Sequence, residues 1–181
     1  MTTLLLMRHA KSAWSNSQLA DHDRPLNDRG RKAAPLMARY LMANYPVPST
    51  VLCSSAVRTR ETWDLMADAF GHSQSEGGPG RGYEVIYLDE LYLASGETIL
   101  QHIRSDHLDA ETLLVLGHNP GMSIAASYLA TEPIEMKTAA VAAFELGDAW
   151  DGVHPSQAVL KELVKPKDLA DHDAARRLGD D

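Results

Sequence analysis

Short apolar runs alternate along the chain with segments of helical period, and this alternation sets the expected fold. Residues 3–7 (Thr-Leu-Leu-Leu-Met) suit a strand buried on both faces. A polar, irregular segment follows, passing through Asn16, Asp21, His22 and Asp23 to Arg24-Pro25. A helical pattern then opens at Asn27, a competent N-cap, with Ala33, Leu36, Met37, Tyr40 and Leu41 at helical spacing. Pro35 lies inside that pattern and removes one backbone donor, which predicts a kink or a late start. Further along, 50–53 reads as a strand, 56–70 as a helix and 71–82 as a Gly- and Ser-rich loop suited to local disorder. The pattern continues with strand 84–88, helix 98–104 capped by Ser95 or Gly96, strand 112–116 and helix 121–129. Strands 141–146 and 158–164 complete the sheet.

Strands alternating with helices at this spacing predict an α/β fold of three layers. A central, mostly parallel sheet of about six strands would carry helices on both faces. One domain is expected over residues 1–165, with a charged C-terminal tail over 166–181 that is loose at its end. No internal repeat interrupts the pattern.

Composition changes this picture mainly by exclusion. A chain of 181 residues buries roughly 70% of its unfolded surface and needs no staples. The net charge of −8 repels a phosphate backbone, so no nucleic-acid partner is expected. No stretch approaches the roughly 20 apolar residues of a membrane span, and the N-terminal apolar run is too short for a signal peptide. Cys53 is the only cysteine, so no internal disulfide forms, and the expected setting is cytoplasmic. A monomer is the expected state. There is no His-Glu-x-x-His and no cysteine pair, and His102 and His107 would not share a helix face. No metal and no cofactor are therefore expected. Trp14, Trp63 and Trp150 are expected to be packing residues.

Chemistry concentrates after three predicted strands. Arg8 and His9 follow the first; Ser54, Ser55 and Arg58 follow the second; Gly117, His118 and Asn119 follow the fourth. In a parallel sheet, sites lie beyond the carboxyl ends of the strands, so these groups would converge on one edge. Two guanidiniums held together repel unless an anion lies between them, and their forks match phosphoryl oxygens. A neutral imidazole among them is a competent nucleophile toward phosphorus, and the arginines supply the charge stabilisation that Mg²⁺ gives elsewhere. Cys53 and Arg58 superficially suggest a thiol phosphatase, but four residues intervene rather than five, and Cys53 closes an apolar strand. No Gly-x-Ser-x-Gly elbow is present.

Arg8-His9-Ala10-Lys11-Ser12 resembles the Arg-His-Gly/Ala signature of the histidine phosphatase (phosphoglycerate mutase-like) superfamily. Pro25-Leu26-Asn27-Asp28-Arg29-Gly30 resembles its Pro-Leu-x-x-x-Gly segment, and residues 54–62 resemble its second-arginine motif. Leu116-Gly117-His118-Asn119-Pro120-Gly121 resembles its second-histidine motif. Ala10, the Gly-His-Asn-Pro-Gly form and the short length look most like the SixA branch of phosphohistidine phosphatases.

The resemblance implies that His9 is the nucleophile and becomes a phosphohistidine, while Arg8, Arg58 and His118 hold the phosphoryl oxygens. Family members with alcohol leaving groups use a Glu after the third strand; Glu90 aligns best with it and Asp89 second, without the full acid motif. No insertion is long enough for the helical cap domain of larger members. The expected substrate is a phosphorylated protein, specifically phosphohistidine, or a small phosphorylated molecule. The alternatives are a broad phosphomonoesterase and a non-catalytic phospho-ligand binding module.

Overall fold

Successive side chains of a strand point to opposite faces, and β1 (Thr2–Arg8) shows the consequence. Leu4 and Leu6 enter one hydrophobic cluster while Leu5 and Met7 enter another, all four fully buried. Each such side chain contributes about 1.5–3 kcal/mol on burial, so β1 anchors both halves of the core. The computed structural model describes residues 2–70, 83–105, 110–147, 150 and 153–169.

β2 (Thr50–Ser54), β3 (Glu84–Leu88), β4 (Thr112–Gly117), β5 (Val141–Leu146) and β6 (Val159–Val164) join β1 in one sheet, ordered β3-β2-β4-β1-β5-β6. Pairing is parallel from β3 through β1, and β5 runs antiparallel to both its neighbours. Helices α1 (Asp28–Asn44) and α2 (Val57–Ala69) cover one face through Ala34, Met37, Leu41, Trp63 and Met66. Helices α3 (Gly96–Ser105) and α4 (Gly121–Ala130) cover the other through Ile99, Ile103, Met122 and Ala125. This is the expected three-layer α/β arrangement. Among the described residues, the remaining helical pieces are short, at Asp21–Asp23, Asp89–Leu91 and 166–169, and none of them forms a helical cap domain.

Local signals explain the helix starts. The Asn27 side chain accepts from the Gly30 N–H at 3.0 Å, and the Ser95 hydroxyl accepts from Thr98 N–H at 3.1 Å, settling the cap of α3. Pro35 does not delay α1, which runs from Asp28 through it to Asn44. One missing rung is tolerated because Ala34, Met37, Ala38 and Leu41 pack into the core. The expected loop over 71–82 and the tail from 170 onward lie outside the described residues. Leu169 packs against the cluster under α1 and α2.

Gly30 ties α1 to the loop that follows β1. Asn27 N–H donates to the Lys11 carbonyl at 2.9 Å, and a Cβ at position 30 would stand 2.9 Å from the Lys11 nitrogen and closer still to its carbonyl. Helix propensity alone favours Gly30→Ala by about 1 kcal/mol. The backbone collision reverses that sign: a net loss of about 1–3 kcal/mol is expected, read as a lower urea midpoint at unchanged slope.

Candidate active site

The three motif-bearing strands are neighbours at the centre of the sheet, and they end level. Met7 and Cys53 both pair with Leu116, and Arg8 pairs with Gly117. The loops beyond them therefore leave from one height. His9 N–H donates to the Gly117 carbonyl at 3.1 Å, which stitches the β1 loop to the β4 loop. Arg58 lies in the first turn of α2, where the Thr62 hydroxyl donates to its carbonyl at 2.6 Å and accepts from Ala10 N–H at 3.1 Å. These hydrogen bonds lock all three segments around one point.

That point is a cleft of about 360 Å³ lined by Arg8, His9, Asp21, Arg24, Arg58 and His118, with Lys11, Ser12, Trp14, Leu93, Asn119 and Thr138 around them. Hydrogen bonding assigns the ring protons. His9 Nδ1–H donates to the Ala10 carbonyl at 2.7 Å, so Nε2 carries the lone pair, and Arg58 Nε–H donates to that lone pair at 3.3 Å. A second Arg58 donor, on Nη2, reaches His118 Nδ1 at 3.1 Å. Arginine only donates, so His118 Nδ1 accepts and its Nε2–H donates to the Ser54 hydroxyl at 2.8 Å. The two imidazole rings lie 5.1 Å apart, centre to centre.

Electrostatics keep both imidazoles neutral. Burial, reinforced by the charges of Arg58 and Arg8, brings His9 down to about 4, against a rise from the Ala10 hydrogen bond. Burial, then His9 and Arg58, brings His118 down to about 3. Burial and repulsion from Arg58 also lower Arg8. Arg8 Nη1–H donates to the Met136 carbonyl at 3.1 Å, while its Nε is buried with no protein partner. A buried donor left over at the floor of a cleft is suited to an anion.

The structure brings together four of the five expected site residues: Arg8, His9, Arg58 and His118. Glu90 and Asp89 are exposed in the turn Asp89–Leu91 and do not line the cleft. The one carboxylate that does, among the described residues, is Asp21, which the motifs do not flag. Its Oδ2 accepts from Arg58 Nη2–H at 3.0 Å and from the Tyr92 hydroxyl at 2.7 Å, and its carbonyl accepts from Arg58 Nη1–H at 2.6 Å. Tyr92 and Arg58 hold the Asp21 carboxyl below the usual carboxylate range. It is therefore a carboxylate at neutral pH, and it neutralises Arg58. Thirty-seven residues separate Asp21 from Arg58, so no local spacing reveals the pair.

Two other expectations resolve clearly. Cys53 is fully buried, and burial pushes its thiol up, so it is no nucleophile. Trp63 and Trp150 are core residues, but Trp14 is 78% exposed at the cleft, against the expectation that it packs. Among the described residues, no cluster of three or more His, Cys, Asp or Glu side chains is arranged to hold a metal ion. None of the described helices is long and apolar enough to cross a membrane.

Comparison with known proteins agrees with this geometry. Residues 4–76 match the family model of the histidine phosphatase superfamily (branch 1). An uncharacterized protein of Mycobacterium tuberculosis is 36% identical over 172 residues, covering 89% of this chain and 100% of that protein. Among solved structures, a protein of Nakamurella multipartitia provisionally named phosphohistidine phosphatase SixA superposes with a TM-score of 0.75 at 28% identity. That match covers 91% of this chain and 96% of the other. Its counterpart from Agrobacterium tumefaciens, also provisionally named, gives 0.75 at 27% identity, over 91% and 98% of the two chains. With one fold, one motif order and a relative matched along its whole length, this chain belongs to the histidine phosphatase superfamily.

Proposed function

We propose that this chain is a phosphohistidine phosphatase that works through a covalent phosphohistidine on His9. The observation that carries the reading is the state of His9. Its neutral ring is fixed by Ala10 with the Nε2 lone pair turned toward Arg58, in a cleft that also holds Arg8 and His118. The two SixA-named neighbours at 27–28% identity support the same class of substrate.

In the first step, His9 Nε2 bonds to phosphorus while the bond from phosphorus to the substrate imidazole breaks. The departing imidazole keeps the electron pair and takes a proton from solvent. In the second step, water attacks the phosphorylated His9, its proton passes to solvent, and phosphate leaves with the Nε2 lone pair restored. Arg8, Arg58 and His118 hold the phosphoryl oxygens through both steps, each donor stabilising charge that grows in the transition state. His118 would do so from the neutral state by turning its N–H from Ser54 to the oxygen. The dianionic phosphoryl group takes over the Arg58 donors that Asp21 holds in the free protein.

A nitrogen leaving group needs less help from an acid than an alcohol does, and this fits the position of Glu90 outside the cleft. The test is a paired turnover assay with a phosphohistidine peptide and p-nitrophenyl phosphate, with and without EDTA. Preferred cleavage of the peptide, unaffected by EDTA, is expected. Preference for the aryl ester would make the chain a broad phosphomonoesterase. Phosphate binding without turnover of either would make it a binding module.

A further inference from the structure

We infer that Trp14 is a specificity-determining residue, a stacking platform that selects substrates whose phosphoryl group is attached to an uncharged planar ring. The inference rests on the reading of the cleft as a phosphatase site, and it adds what the mouth of that cleft recognises beyond phosphate.

An indole left 78% exposed forgoes a large burial gain, and here the exposure is built rather than incidental. The guanidinium carbon of Arg24 lies 3.2 Å from the Trp14 ring centre, covering one face. Arg24 is itself pinned, with Nε and Nη2 both donating to the Ala13 carbonyl at 2.9 Å, Nη2 to the Ser12 hydroxyl at 3.2 Å and Nη1 to Asp21 at 3.0 Å. It is 7% exposed, so it serves as a rigid backing and not as a mobile surface cation. With one face covered and most of the residue still accessible, the opposite indole face is open, on a residue that lines the same cleft as His9.

The rim holds a second apolar group in a strained setting. Leu93 adopts a φ of 49°, in the left-handed region that a leucine rarely occupies, and is 55% exposed while lining the cleft. Strain of this kind persists where the surroundings over-determine it, and such residues cluster at active sites and ligand clamps. The cleft therefore has a cationic floor for the phosphoryl group and apolar groups at its mouth for what the phosphoryl group is attached to.

Charge decides which planar group fits. Arg24 already supplies the cation that an indole face attracts, and a second cation on the other face would be repelled through the ring. The open face suits a neutral ring such as the imidazole of phosphohistidine or an aryl group. It disfavours the guanidinium of a phosphorylated arginine. A flexible alkyl leaving group offers no flat face to stack.

The experiment compares wild type, Trp14→Ala and Trp14→Phe on a phosphohistidine peptide, p-nitrophenyl phosphate and acetyl phosphate, whose small leaving group does not reach the rim. In Trp14→Ala the ratio of kcat/KM for either ring substrate to that for acetyl phosphate is expected to fall about tenfold, chiefly through KM, as loss of a stacking contact does. Trp14→Phe should recover most of it. A ratio unchanged within about twofold would overturn the inference, as would an equal loss on all three substrates. Should the peptide not be cleaved while the aryl ratio still falls, the phosphohistidine reading fails and the platform stands. If nothing turns over, the same comparison is made by binding phenylphosphonate against methylphosphonate. Weaker preference for the phenyl compound in Trp14→Ala then supports the platform, and an unchanged preference overturns it.

Discussion

His9→Ala is expected to lower kcat by at least about a thousandfold, in line with removal of a nucleophile elsewhere, while the fold survives. The structural cost is modest: the Ala10 carbonyl and the Arg58 Nε–H each lose one hydrogen bond, worth about 1 kcal/mol apiece. A melting temperature within about 8 °C of wild type is therefore expected. Rapid quenching of wild type during turnover should trap phosphate on the protein that is labile to acid and stable to alkali, as a phosphorylated imidazole is. The variant should trap none. Retained turnover, or trapped phosphate that survives loss of His9, would move the nucleophile elsewhere.

The pH profile gives a second readout of the same residue. Its folded-state value is depressed to about 4, so the reactive neutral form is present above that value and is lost as pH falls through it. An unperturbed imidazole near 6.5 would lose most of its reactivity by pH 5. After correction for substrate ionisation, kcat/KM of wild type is expected to stay on its plateau to about pH 5, as it reports the free enzyme. An acid limb near 6.5 would show that the burial of His9 does not control its titration.

How much of this site the sequence discloses follows from how far each signal reaches. The runs at β1, β2 and β4 are legible because strands buried on both faces carry uninterrupted apolar residues, and burial is complete in β2 and β4. Once those strands are parallel neighbours, Arg8, His9, Arg58 and His118 need no further information to meet. The reversal of β5 is not legible, because an apolar strand reads the same in either direction. Asp21 escapes notice because its importance comes from Arg58 and Tyr92, both distant in sequence, and acidic residues in irregular segments are ordinarily just solvated. Glu90 has the right place in the motif order, yet a short turn leaves it outside the cleft. Trp14 misleads for the opposite reason: hydrophobicity predicts burial, and the residue that holds it at the surface, Arg24, is ten positions away.

Arg58→Ala carries the other large effect. Arg58 is 4% exposed and directs donors at His9, His118 and Asp21. In transfer those donors pass to phosphoryl oxygens, and loss of one such oxyanion donor costs on the order of a hundred- to a thousandfold in kcat elsewhere. A comparable drop in kcat/KM is expected here. Removing the guanidinium also removes a charge that holds His9 down, so the His9 value moves up from about 4, although burial, the larger cause, remains. Stronger protonation at low pH follows, and the deficit of the variant relative to wild type should widen between pH 7.5 and pH 5. A purely structural role for Arg58 would give a deficit independent of pH. Arg58→Lys separates charge from geometry: an ammonium restores the positive charge but lacks the planar fork that can hold two oxygens. It should recover the wild-type pH profile more fully than the rate. Recovery of both would mean that charge alone suffices, and an alanine variant within about fivefold of wild type would leave Arg8 and His118 as the working oxyanion donors.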